Sequence, residues 1–280
     1  MIRLDLRRGA RLAALGIFGS AGALGLSPCL EACGVAQGGG ERVVLDTQVG
    51  LASDGASFTT ASGWDVALTR AVLSTGPFYY FDGSPLASLA TGTIDAVRRE
   101  SLELLGLGLA HAHPGHEHTG QALGQMLSPW SVDLLAGMAS YPTGEGVTGT
   151  YRSASFSFAS TAAGPHAEDL GAYAALAEGV ARRSDVLVRF RAVARWADIA
   201  LSTAQGNVDG CELSEIAVHG SGVVTLTVHP SVWFDDVDFS SLPVASDDAP
   251  LELPLGSAPQ LAFVEGLARL SAYEFAIDER

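Results

Sequence analysis

Residues 214–230 read SEIAVHGSGVVTLTVHP. Two runs rich in β-branched residues stand on either side of Gly220-Ser221-Gly222, the pattern of two strands joined by a tight turn. The reading carries outward along the chain. GTYRSASFSFAST (149–161) alternates, with Tyr151, Ser153, Ser155 and Ser157 on one face and Arg152, Ala154, Phe156 and Phe158 on the other. DVLVRFRAVARW (185–196) is a long alternating strand, and AYEFAID (272–278) closes the chain as another. RVVLDTQVGL (42–51), WDVALTRAVLSTG (64–76) and PFYYF (77–81) read as strands separated by Gly and Ser turns. Within the second of these, Trp64, Val66, Leu68, Arg70 and Val72 share a face. LSPWSVDLLAG (127–137) ends in a strand. DLGAYAALAEGVARR (169–183) is a loop and a strand, because Gly171 and Gly179 would each cost a helix about 1 kcal/mol. Nine or ten strands with frequent turn signals predict an all-β fold, an antiparallel β-sandwich in one domain over 42–280.

One window departs from this period. In TIDAVRRESLELLGLGL (93–109), Ile94, Val97, Leu102, Leu105 and Leu109 recur near helical spacing. This predicts a helical and His-rich insertion into the sandwich around 93–126.

The formal net charge is −15, and every basic residue other than histidine is arginine. So acidic a surface repels phosphate backbones, which argues against nucleic-acid binding, and it favours cations. At the N-terminus, Arg3, Arg7, Arg8 and Arg11 precede the apolar stretch LAALGIFGSAGALGL (12–26). That is the layout of a secretion signal, too short for a comfortable transmembrane helix. LEAC (30–33) then resembles a lipobox, which makes residues 1–32 a lipoprotein signal peptide and Cys33 the lipidated first residue of the mature chain. Residues 33–41 follow as a flexible tether. If Cys33 is lipidated, Cys211 has no disulfide partner.

The chemistry concentrates in HAHPGHEH (111–118), where four of the seven histidines fall within eight residues. Pro114-Gly115 suits the centre of a type II turn and excludes a helix. With extended arms, His111 and His113 point to one side, as do His116 and His118, so the four imidazoles can converge. A tight irregular loop using three of them is the other arrangement. Neutral imidazole suits Zn(II), Cu and Ni(II). With Glu117 the one carboxylate nearby, Ca and Mg are poor fits. The reading is therefore a transition-metal site, copper or zinc, at His111, His113, His116, His118 and Glu117.

A second pattern overlaps it. His111-x-His113-x₃-Glu117-x₆-Gly124 matches the first motif of the cupins, all-β barrels that include metal-dependent enzymes. Leu105 stands where that motif starts with glycine, and the second cupin motif is missing downstream. A third alternative is a structural or adhesion lipoprotein with an incidental histidine loop. Of the remaining histidines, His219 and His229 sit at the two ends of the proposed hairpin and read as isolated surface residues. In VWFDDVDFSSL (232–242), Asp235, Asp236 and Asp238 belong to a solvated turn, with Trp233, Phe234 and Phe239 packed inward. There is no nucleophile elbow, P-loop or dinucleotide turn, and no spacing marks a hydrolytic triad.

GWDVALTRAVLSTGPFYYFDG (63–83), GTYRSASFSFA (149–159), VVTLTVHPSVWFDDVDF (223–239) and LSAYEFAID (270–278) together resemble, in content and order, the MbnP-like proteins. The resemblance covers about half the chain in short motifs. It implies a periplasmic or membrane-anchored β-sandwich associated with copper handling. HAHPGHEH is not part of the matching motifs, so its ligands rest on the residues alone. The expectation is a non-catalytic, metal-binding lipoprotein of the bacterial cell envelope, with a metal ion and a membrane as its partners.

Overall fold

The computed structural model describes residues 40–84, 120–203, 205–242 and 249–280. These residues carry the strands β1 (Arg42–Leu51), β2 (Ser57–Thr59), β3 (Asp65–Phe81), β4 (Ala122–Met126), β5 (Trp130–Asp133), β6 (Ala139–Ser140), β7 (Gly144–Val147) and β8 (Gly149–Phe158). They continue with β9 (Ala175–Arg183), β10 (Val186–Ala194), β11 (Asn207–Val218), β12 (Gly222–Val228), β13 (Leu251–Glu252) and β14 (Tyr273–Glu279). The helices α1 (Ala167–Leu170), α2 (Trp196–Ser202), α3 (Pro230–Phe234) and α4 (Ala258–Leu267) lie between strands. The fold is all-β. The expected signal segment 1–32, Cys33, most of the expected tether and the expected helix at 93–109 lie outside the described residues. At the end of that expected tether, the Glu41 carbonyl already accepts from the Thr148 amide and the Glu41 amide donates to Thr148 Oγ1, so ordered pairing begins there.

One hydrogen-bonded sheet joins the strands, and it closes on itself. The closed circuit runs β3-β4-β7-β1-β12-β14-β11-β8 and returns to β3 through the pairing of Thr75–Phe81 with Ser153–Phe158. The sheet is mixed: β1–β12, β11–β14 and β10–β13 are parallel and the other pairings antiparallel. Closure leaves no free edge within the circuit. Period-two burial directs one side of each strand inward. Val43, Leu45, Thr47 and Val49 of β1, Val224, Leu226 and Val228 of β12, and Tyr273, Phe275 and Ile277 of β14 are buried.

Aromatic rings fill the centre. Phe78 stacks on Phe156 with centroids 5.7 Å apart, and Tyr273 meets Phe156 edge-on at 4.7 Å. The hydroxyls buried with them are paired: Tyr80 with Thr47 at 2.9 Å and Tyr141 with Thr75 at 2.8 Å. Tyr151, fully buried near the start of β8, donates back to the Val147 carbonyl at 2.7 Å and lies 3.1 Å from the Leu123 carbonyl. That bond pins the β7–β8 corner to β4.

The structure corrects the strand reading in four places, the first two through the choice of partners. SEIAVHGSGVVTLTVHP does contain two strands, β11 and β12, but they are not a hairpin. β14 lies between them, parallel to β11 and antiparallel to β12. The 219–221 link crosses the end of β14, where Ser221 accepts from the Arg280 amide. Next, 64–76 and 77–81 are not separate strands. β3 runs unbroken through the cis Gly76–Pro77 bond for 17 residues. Its first half pairs with β9 and its second with β8. Then a register shift between Leu68 and Arg70 reverses the side-chain phase. Val66 and Leu68 face the main core, while Val72 joins a separate cluster with Leu170, Leu176 and Val193 on the opposite face. In 127–137 the strand comes first, and a single 3-10 turn, Leu134–Ala136, follows it.

The half of β3 outside the circuit continues as the sheet β3-β9-β10-β13. A second aromatic group covers it, with Phe190 4.8 Å from Phe239 and 5.2 Å from Phe234. Trp233, Phe234 and Phe239 are fully buried, as the sequence pattern requires. Two of the neighbouring aspartates have partners. Asp236 pairs with Arg269, and Asp238 accepts from Ser240 and from the Trp64 indole at 3.1 Å.

Candidate functional site

His111, His113, His116, Glu117 and His118 lie outside the described residues. What the structure places is the pair of stems from which their segment springs. β3 ends at Phe81 and β4 begins at Ala122, and the two are antiparallel neighbours. The two stems therefore meet at one point on the rim of the closed sheet.

The stems are bonded to each other and to β8. The Asp82 amide donates to the Gln121 carbonyl at 3.2 Å, and the Gln121 amide donates to Asp82 Oδ1 at 2.6 Å. Arg152 Nη1 donates to the Asp82 carbonyl at 3.0 Å, and Ser153 Oγ donates to the Gly83 carbonyl at 2.6 Å. Glu215 on β11 holds Arg152 through Nε at 3.1 Å and Nη2 at 3.3 Å. This forked geometry fixes the plane of the guanidinium as well as its charge. Asp82, Gly83, Ser84, Gly120, Gln121 and Arg152 line a solvent-open cavity of about 440 Å³. Sequence spacing had no means of finding Arg152 or Ser153, which lie about seventy positions from their partners.

The described histidines do not converge. His219 is exposed and His229 half-buried. The seven residues of β12 separate them by about 20 Å. His229 Nε2 lies 3.6 Å from Glu274, and His166 Nδ1 lies 3.1 Å from Asp169. Among the described residues no group of three or more His, Cys, Asp or Glu is placed to hold a metal ion. Cys211 is buried on β11, and burial pushes its thiol up to about 12, so it is a neutral packing residue at ordinary pH. No helix among the described residues is long and apolar enough to cross a membrane.

Gly124, the last residue of the cupin-like pattern, has a packing role of its own. A Cβ there would stand 2.9 Å from Leu45 Cδ1 and 3.1 Å from the Tyr80 ring. The interior that β4 faces is occupied by Leu45, Phe78, Tyr80 and Phe156, each at most 1% exposed.

Compared with protein-family profiles, with curated proteins and with solved structures, the chain matches none.

Proposed function

We propose that the chain is an exported, lipid-anchored protein of the bacterial cell envelope that captures or delivers a transition metal without catalysis. The metal is copper or zinc, and the ligands are His111, His113, His116 and His118, with Glu117 beside them. One observation carries the reading: four of seven histidines occupy eight residues in the stretch of chain between the bonded stems Asp82 and Gln121. Imidazoles at that density suit Zn(II) and Cu, and the acidic, lysine-free chain favours cations near them. The likeness to MbnP-like proteins favours copper. The arginine-rich start and the LEAC stretch support export and a diacylglycerol anchor on Cys33.

The test is titration of Zn(II) and Cu(II) against a competing chelator. The double variant His113→Ala/His116→Ala should lose more than about tenfold in affinity, the scale that even indirect partners of a metal site produce. His219→Ala/His229→Ala should change little. Binding should weaken as pH falls through about 6.5, because a protonated imidazole has no lone pair to give. Wild-type binding by the His113/His116 variant overturns the reading. Loss of binding in Glu117→Gln with none in His118→Ala points instead to the His111, His113, Glu117 set of a cupin-like enzyme.

A further inference from the structure

β8 ends at Phe158 and β9 begins at Ala175, and the 160–173 link between them lies over the outer face of the sheet. Beneath it, Val72 of β3, Leu176 of β9 and Val193 of β10 are direct neighbours across three strands. They form an apolar row separate from the main core, sealed by Leu170 of α1 and flanked by Ala162 and Tyr173. Leu170 is the one fully buried side chain the link contributes. Positive φ glycines bracket α1, Gly164 at 86° and Gly171 at 57°. An exposed ion-pair chain holds it down. Arg70 Nη2 lies 2.6 Å from Asp169, which also takes His166 Nδ1 at 3.1 Å. Further along the sheet, Arg191 bridges Glu178 at 3.3 Å and Glu252 at 3.5 Å.

We propose that residues 160–173 are a strap, latched to the sheet by the Arg70–Asp169 pair with His166 beside Asp169 on the strap itself, whose opening beyond the His166–Ser131 bond uncovers the Val72–Leu176–Val193 row and is promoted by salt. The latch pairs one leucine's worth of burial with charges that solvent reaches, at 31% exposure for Arg70 and 39% for Asp169. Exposed pairs are screened once the Debye length falls to a few ångströms, which happens near 1 M salt. The other charges facing the latch are Glu178 and Asp133 around Arg70, Glu168 on the strap itself, and the Arg195–Asp198 pair near Tyr173. All belong to the same solvent-reached face and screen together. The strap's remaining fixed point is the His166 amide on the buried Ser131 hydroxyl at 3.0 Å, where Gly164 also packs against Trp130. Ala174 holds the other end, its amide donating to the Ala194 carbonyl at 2.8 Å, so opening lifts 167–172 between these two points, with Gly171 taking up the bend.

Hydrogen–deuterium exchange of the whole chain at constant pH tests this, in 50 mM and in 1 M NaCl. Amides of 167–173 should exchange at least about tenfold faster than those of β9, as a local opening requires. Salt should speed them about two- to fivefold while leaving β9 unchanged. Arg70→Gln should raise exchange at low salt and abolish the salt response; Arg70→Lys should restore part of both. Leu170→Ala should raise exchange and keep the salt response, separating latch from burial. Asp169→Asn removes the same pair from the strap side and must reproduce Arg70→Gln even if the latter destabilises the sheet. Equal rates at both salt concentrations in the wild type, or a salt response that persists in Asp169→Asn, overturns the proposal.

Discussion

Replacing Tyr151 by phenylalanine tests the closure of the sheet at a single atom. The ring is fully buried and its shape is unchanged by the substitution, so no cavity opens and the packing against β4 and β7 persists. What disappears is the hydroxyl that donates to the Val147 carbonyl at 2.7 Å and lies 3.1 Å from the Leu123 carbonyl. Two buried carbonyls then lose a polar neighbour. A carbonyl left short of a partner costs less than an orphaned N–H, because it carries two lone pairs and keeps any ladder bond it makes. The expected loss is about 1–2 kcal/mol, in the lower part of the range for a removed buried partner. For a domain of this size that corresponds to a Tm lower by about 2–8 °C. Urea unfolding of Tyr151→Phe should show a lower midpoint at an unchanged slope, since the surface exposed on unfolding is the same. Tyr79→Phe, on the neighbouring half-buried position of β3, is the control and should fall within about 0.5 kcal/mol of wild type. If Tyr151→Phe is as small as that control, the β7–β8 corner is held by the ladder alone and the pinning role assigned to Tyr151 is wrong.

Alkaline pH should unfold the protein before its interior tyrosines ionise. Burial raises the Tyr151 phenol to about 12 and raises Tyr80, Tyr141 and Tyr273 as well. A raised phenol pKa means that the folded state holds the proton longer. Its stabilising effect is complete below the ordinary value near 10 and is lost as pH rises from there toward 12. Phenolate absorbance near 295 nm should rise cooperatively with loss of the folded circular-dichroism signal, and an early, separate titration of all six tyrosines would contradict the buried network. At the N-terminus, mass spectrometry of the membrane fraction should find diacylglycerol on Cys33, and Cys33→Ser should release the protein in soluble form; an unmodified mature N-terminus in the wild type contradicts the anchor.

Much of this architecture is local information. The alternation of Val43, Leu45, Thr47 and Val49, or of Tyr273, Phe275 and Ile277, records which side of a strand meets the core, and the structure buries those sides. Trp233, Phe234 and Phe239 declare themselves inward by the same logic, since large apolar rings between aspartates have one stable place to go. The histidine segment is legible as chemistry because imidazole density survives any backbone arrangement. The stems at Asp82 and Gln121 are not legible in that way. Their supports, Arg152, Ser153 and Glu215, come from β8 and β11, and no spacing rule connects residues so far apart in the chain.

By itself the sequence determined that the chain is all-β, which faces of most strands are apolar, and where its imidazole side chains are concentrated. These follow from a two-residue period and from side-chain chemistry, both readable within a few residues. Tertiary structure decided the pairing: β14 between β11 and β12, β3 as one strand serving both the closed circuit and the β9-β10-β13 extension, the phase reversal at Thr69, and closure through β3 and β8. The physical reason is that a strand's backbone donors and acceptors are alike along every strand, so local sequence carries no label for its neighbour. Partners are selected by which arrangement buries Phe78, Phe156, Tyr273 and Phe275 together and satisfies Tyr80, Tyr141 and Tyr151, a condition that exists only once distant segments have met.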